Sequence, residues 1–280
     1  ASGIGLAAAK RCAAMGMKVV IADVAGLAEA EAAVATFAPG ALVLGVRCDV
    51  SELSNVESLK QRVYGHPSLG EVGFLFSNAG VTRGESGSVL HTPLESWSST
   101  FAVNVYGTLH CLKCFVPAMQ AQNTECVVVT TSSYCGLLNT SPGGFGSDVC
   151  YTASKHTLTI LTEALAHELR LAPGNKVSVH GLFPAGVKTN ILQSAQQALL
   201  QGVADEGERA EKAAAFATSR NKASVEVSGL TPDELVQVLY DGVSEGKFYI
   251  RAFDKSASFE VLGALVMERA KDIALQREPI

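Results

Sequence analysis

The sequence has little that would bind a polyanion, cross a bilayer or staple a small core. Acidic residues outnumber basic ones, 27 against 22, for a net charge of −5, and the pI is near 5.7. A chain without a basic surplus is not expected to take nucleic acid as its main partner. No apolar run approaches the ~18 to 20 residues that a membrane span requires, so none is expected. Cysteine is present but unpaired in pattern. The seven residues Cys12, Cys48, Cys111, Cys114, Cys126, Cys135 and Cys150 lie scattered through apolar segments, as buried thiols in a reducing compartment do. The expected location is therefore cytoplasmic. Cys111 and Cys114 form a Cys-x-x-Cys, yet they fall in a helix-like stretch with no second Cys or His pair to complete a zinc site. No metal is expected.

What remains is a globular composition, 48% hydrophobic and 18% charged, long enough for a large core and expected to form one domain over 1–280. Short β-branched runs alternate with longer helical periods, the pattern of βαβ units around a parallel sheet. Strands are expected at Lys18–Ala22, Leu42–Arg47, Gly73–Phe76, Cys126–Thr131, Lys176–Leu182 and Phe248–Arg251. Helices are expected at Gly5–Met15, Leu27–Phe37, Leu53–Tyr64, Leu94–Gln120, Tyr151–Leu171 and Pro232–Glu245. Gly16 is placed to end the first helix, and Ser51 and Thr231 are placed as N-caps. The fold class is therefore α/β, a Rossmann-like doubly wound sheet flanked by helices. Two segments break the rhythm: Gln193–Gly229, rich in Gln, Ala and charge and read as a substrate lid, and Gly136–Val149, a loop before the Tyr151 helix.

Polar residues cluster where such a sheet builds its site, at the carboxyl ends of its strands. Gly3-Ile4-Gly5 opens a helix, and glycines there let a phosphate approach backbone N–H groups at the positive helix end, although they also suit an ordinary turn. Asp23 ends the next strand, at the spacing where an acid meets the adenosine ribose hydroxyls; it would equally cap the following helix. An acid there repels a 2′-phosphate, which favours NAD over NADP. Asp49-Val50 and Asn78-Ala79-Gly80 follow two further strands, as either ligand contacts or turn residues. Tyr151 and Lys155, at i and i+4, share a helix face, where they form either an ordinary surface pair or a phenol whose ionisation a nearby cation favours, suiting it to proton transfer. Thr130-Thr131-Ser132-Ser133 leaves another strand at its carboxyl end, where a hydroxyl either bonds a substrate carbonyl as its oxygen gains charge or simply makes a turn.

These residues together make the chain resemble the short-chain dehydrogenase/reductase family over about Ala1–Leu192, and more loosely beyond. Ala1-Ser2-Gly3-Ile4-Gly5 is similar to the last five residues of the family's Thr-Gly-x-x-x-Gly-Ile-Gly fingerprint. Asp49, Asn78-Ala79-Gly80, Asn104, Ser133, Tyr151-x-x-x-Lys155 and Pro184 to Thr189 follow in the family's order. The resemblance implies hydride transfer between a nicotinamide cofactor and a carbonyl or secondary alcohol. Tyr151 would act as general acid or base, Lys155 would lower its pKa and hold ribose hydroxyls, Ser133 would polarise the carbonyl, and Asn104 would hold a water. Ser2, Gly3, Ile4, Gly5, Asp23, Asp49, Val50, Asn78, Ala79, Gly80, Pro184, Val187 and Thr189, with Tyr151 and Lys155, would contact the cofactor. Homodimers or homotetramers through the long helices are expected, with a small-molecule carbonyl or alcohol as substrate.

The chain also departs from the pattern. The family's first strand and the opening Thr-Gly fall outside it, so the resemblance implies a truncated chain. Ala185 replaces the usual Gly after Pro184, and Ser77 a frequent Asn. Ser133 and Tyr151 stand 18 residues apart, which is longer than usual and implies that Gly136–Val149 extends over the substrate pocket. The alternatives are a non-catalytic dinucleotide-binding protein of the same fold and, less well matched in its glycine spacing, an extended-type epimerase or dehydratase.

Overall fold

A computed structural model describes residues 1–83, 88–138, 148–200, 205–217, 229–253 and 259–276. Its elements in order are α1 (Gly3–Ala14), β1 (Val19–Asp23), α2 (Leu27–Phe37), β2 (Val43–Arg47), α3 (Leu53–Tyr64), β3 (Phe74–Ser77), α4 (Leu94–Phe101) and a π-helical turn (Ala102–Tyr106). There follow α5 (Gly107–Ala121), β4 (Cys126–Thr131), a 3-10 turn (Tyr134–Gly136), α6 (Val149–Leu171), β5 (Val177–Pro184), α7 (Ile191–Leu200), α8 (Glu206–Ala217), α9 (Pro232–Ser244), β6 (Tyr249–Ala252) and α10 (Phe259–Leu275). All strand pairings are parallel. β1 pairs with β2, while β3, β4, β5 and β6 form a second sheet in that order.

Burial on both faces explains the near-continuous apolar strands. In β4, Val128 joins a core with Val56, Leu59 and Val63 of α3, Leu112, Phe115 and Met119 of α5 and Leu169 of α6. Its neighbour Val129 points the other way, into a core with Leu182, Leu235, Leu239 and Ile250, as the two-residue period of a strand requires. Ala9 and Ala13 of α1 and Ala30 and Val34 of α2 close that second layer over Val19 and Ile21.

The strands and most helices lie within two or three residues of their expected bounds. Gly16 takes φ +82 after α1, and Thr231 forms a full capping box with Glu234. Three readings are corrected. The single helix expected over Leu94–Gln120 is divided by the π-helical turn around Asn104, whose amide turns out of the helix to bond Val81 and Ser154. Ser51 does not cap α3: that helix starts at Leu53, and the Ser51 hydroxyl donates to Asp49 instead. Helix α10 was not anticipated. The Gln193–Gly229 segment holds most of α7 and all of α8, residues 201–204 and 218–228 of it lie outside the described residues, and a bridge joins Val187 to Leu230 beyond it. Residues 139–147 of the Gly136–Val149 loop lie outside the described residues.

Candidate active site

Parallel pairing places Asp23 and Asp49 at the carboxyl edge of the β1–β2 sheet and Asn78, Ser133 and Pro184 at that of the β3–β6 sheet. The N-terminus of α1 opens towards the second of these edges. Ser2 makes no side-chain cap bond and no acid stands in the first turn of α1. The first intrahelical bond there is donated by Leu6 to the Ser2 carbonyl, so the Gly3, Ile4 and Gly5 amides have no intrahelical partner, and the positive helix end suits an anion. Both glycines are needed sterically. Gly3 has φ +51, and a Cβ on it would lie 3.0 Å from Thr189 Cγ2; on Gly5 a Cβ would lie 3.1 Å from Asn78 Nδ2. Asn78 is held from the other side by the Thr131 hydroxyl, 2.9 Å from its Oδ1.

Four expected residues converge beside this cradle. Lys155 is 3% exposed and donates to the Thr131 carbonyl at 2.8 Å. Its ammonium stands 5.5 Å from the centroid of the Tyr151 ring. Ser133 lies where it favours the ionised Tyr151 phenol, and its hydroxyl accepts from the Cys135 amide at 3.1 Å. Ser132, the other serine after β4, points away: it donates to the Lys155 carbonyl at 2.8 Å and meets Thr159 at 3.0 Å. The strand's alternation thus gives one serine to the site and the other to the packing of α6.

Asn104 is fully buried. Its Oδ1 accepts from the Val81 amide at 2.8 Å, and its Nδ2 donates to the Val81 carbonyl at 3.0 Å and the Ser154 hydroxyl at 2.9 Å. Both donors are used and one acceptor lone pair remains, on an atom 3.5 Å from where a Cβ on Gly80 would sit. The same Cβ would be 3.2 Å from Lys155 Nζ, so Gly80 leaves the space between Asn104 and Lys155 open.

Burial sets the protonation of this cluster. It pushes the Tyr151 phenol well above its usual range, Cys135 adding to the effect, the Ser133 bond opposing it and Asp148 raising it further. It pulls Lys155 down to about 8, partly opposed by Cys135. Desolvation thus acts on the phenol in the direction opposite to the lowering expected from Lys155, whose ammonium is directed at the Thr131 carbonyl.

The remaining expected residues sit at the periphery. Asp23 accepts from the Val24 amide at 2.7 Å. Asp49 holds Ser51 by amide and hydroxyl, at 3.0 and 2.7 Å. Val50 packs on Gly107, and its carbonyl accepts from His110 Nδ1 at 2.8 Å. Ala79 is exposed, Ile4 packs beside Phe76, and Val187 is buried at the bridge. The thiols of Cys111 and Cys114 are free and buried, and no metal-holding cluster occurs among the described residues.

Sequence reasoning missed Asp148, which caps α6 three residues before Tyr151; an Asp ahead of a helical run was the available signal. It also missed Arg269 of α10, which donates to the Leu137 carbonyl and His156 Nε2, both at 2.7 Å. Nothing local in the sequence joins those residues.

A family model for short chain dehydrogenases matches residues 1–200. A meso-2,3-butanediol dehydrogenase of Serratia marcescens is 34% identical over 68% of this chain and 69% of its own length. A 1-deoxy-11-beta-hydroxypentalenate dehydrogenase of Streptomyces exfoliatus is 33% identical over 69% of this chain and 66% of its own length. The chain thus spans about two thirds of those relatives. The fold superposes on a short-chain dehydrogenase/reductase of Burkholderia phymatum in complex with NAD, with TM-score 0.82 and 34% identity, covering 100% of this chain and 93% of that one. Fold and relatives define a nicotinamide-dependent oxidoreductase. More narrowly, the chain belongs to the short-chain dehydrogenase family.

Proposed function

We propose that the protein interconverts a secondary alcohol and its ketone with NAD, using Tyr151, Lys155, Ser133 and Asn104. The observation that carries this reading is the convergence of buried Ser133 and Lys155 on Tyr151, with the Lys155 ammonium 5.5 Å from the phenol ring. The nicotinamide, when bound, supplies or accepts the hydride. The Gly3–Gly5 amides suit its phosphates, and Asp23 suits the ribose hydroxyls of NAD rather than the phosphate of NADP. Ser133 positions the substrate oxygen. Tyr151 donates a proton to that oxygen in reduction and takes it back in oxidation. Lys155 supplies positive charge behind the phenol, and the spare lone pair of Asn104 Oδ1 faces the gap at Gly80, where a water would join Lys155 to solvent. Asn78, Ala79, Gly80, Asp49, Val50, Pro184, Val187 and Thr189 line the cofactor's path.

A single domain with α7 and α8 as lid elements completes the reading. Exposed Leu94, Tyr106 and Ile160 on α4 to α6 fit a homodimer or homotetramer, and free buried thiols fit the cytoplasm. The test is oxidation of small secondary alcohols with NAD and NADP in parallel. Tyr151→Phe removes the transferable proton and is expected to lose at least about 100-fold in kcat. Turnover that survives this substitution refutes the mechanism, and a preference for NADP refutes the role of Asp23.

A further inference from the structure

We infer that Asp148 is a positioning residue that ties the loop after β3 to the start of α6 and so holds Tyr151 against Ser133. The inference rests on Tyr151 being the proton-transfer group. Asp148 is 7% exposed, and each of its oxygens has two donors. Oδ1 accepts from the Tyr151 amide at 3.0 Å and the Cys150 thiol at 2.9 Å. Oδ2 accepts from the Thr82 hydroxyl and, at 3.1 Å, the Arg83 amide. Four donors and no acceptor around one carboxyl describe a carboxylate with its lone pairs filled.

The two oxygens serve different elements. Oδ1 caps the helix that carries Tyr151 and Lys155, where a negative charge also complements the helix dipole. Oδ2 grips the strand of chain that continues from Asn78–Gly80 through Val81, the residue whose amide and carbonyl are held by Asn104. Asp148 and Asn104 therefore clamp one loop from two helices, and Ser154 closes the circuit by joining Asn104 Nδ2 to the Tyr151 carbonyl at 2.7 Å. Tyr151 is held by its own amide and carbonyl at once, which fixes where its ring enters the site.

The carboxylate also acts on the phenol through space, raising its pKa. The other ionisable groups facing that phenol are Lys155 from α6 and Cys135 from the 3-10 turn. Cys150 bonds Asp148 itself, and the Arg83 guanidinium is directed to Ser99 of α4 at 3.0 Å. Among the described residues no ion pair to Asp148 occurs.

Asp148→Asn and Asp148→Ala separate the two effects in the full chain. Asn retains an oxygen for the cap but loses the charge and sets an NH2 against the Thr82 and Arg83 donors; Ala loses everything. Tyr151 ionisation is read as the phenolate absorbance difference between each protein and the same protein carrying Tyr151→Phe, and the pH dependence of alcohol oxidation gives a second reading. Asp148→Asn is expected to move the ionisation down and to melt below the parent, because the Thr82 and Arg83 donors lose their acceptor, but by less than Asp148→Ala because the cap remains. Asp148→Ala is expected to melt about 2 to 4 °C lower or more. An unmoved ionisation in Asp148→Asn, or a melting loss equal to that of Asp148→Ala, overturns the inference. The absorbance titration needs no turnover, so its result stands apart from any failure of the oxidoreductase reading.

Discussion

Replacing Gly136 with Ala probes how tightly the site is built into the core. Gly136 ends the 3-10 turn after Ser133, and α6 passes directly over it. A Cβ at this position would stand 2.6 Å from the Lys155 carbonyl oxygen, 2.8 Å from Thr159 Oγ1 and closer still to Ser132 Oγ. Ser132 and Thr159 can rotate, but the Lys155 carbonyl is helix backbone and moves only if α6 moves. Overpacking costs about 1 to 3 kcal/mol. The Ser132 bond to the Lys155 carbonyl and the Thr159 bond to the Gly136 carbonyl add about 0.5 to 1.5 kcal/mol each when broken. A loss of about 4 kcal/mol follows, which for a chain of this size lowers the melting temperature by roughly 8 to 16 °C. Urea unfolding gives the free energy and scanning calorimetry the midpoint. Because the displaced backbone is that of Lys155, kcat of the folded fraction is expected to fall with stability. A Gly136→Ala protein that melts within 2 °C of the parent, on the order of the smallest shift that 1 kcal/mol produces, refutes this account of the close approach.

Asn104→Ala strips the partners from the Val81 amide and carbonyl inside the protein, where each unsatisfied group costs about 1 to 3 kcal/mol. A destabilisation of about 3 kcal/mol in urea melts is expected, and one below about 1 kcal/mol would show that water takes over these bonds. Lys155 provides a pH test. Its pKa, lowered to about 8 from 10.5, means that below pH 8 the folded state carries a buried charge that the unfolded state keeps in water. The penalty is relieved as pH rises from 8 to 10.5. Measured against Lys155→Met across that window, the parent is expected to gain up to about 3 kcal/mol. A constant difference between the two proteins contradicts the burial argument.

Periodicity in the sequence was sufficient to place the six described strands and most of the helices around them, though not α7, α8 or α10, because each pattern is local: two residues for a strand and 3.6 for a helix. It was also sufficient to nominate Tyr151 with Lys155, and Ser133, since i and i+4 neighbours share a helix face wherever the helix goes. The break at Asn104 escaped it because a π-helical turn has no composition of its own. That turn exists because the Asn104 amide finds Val81 and Ser154, partners 23 and 50 residues away.

Tertiary structure decided the rest. It sent the Ser132 hydroxyl to α6, leaving Ser133, the serine the family resemblance picks, beside the site. It gave the protonation of the site to desolvation rather than to the Tyr–Lys pairing, because burial is a property of the whole core. It also brought in Asp148 and Arg269, whose partners lie 65 and more than 110 residues distant in sequence. The sequence by itself determined which groups have the right chemistry and which helix face they share. The packed fold alone settled which of them meet, and in what dielectric, because those depend on contacts between segments that no local pattern encodes.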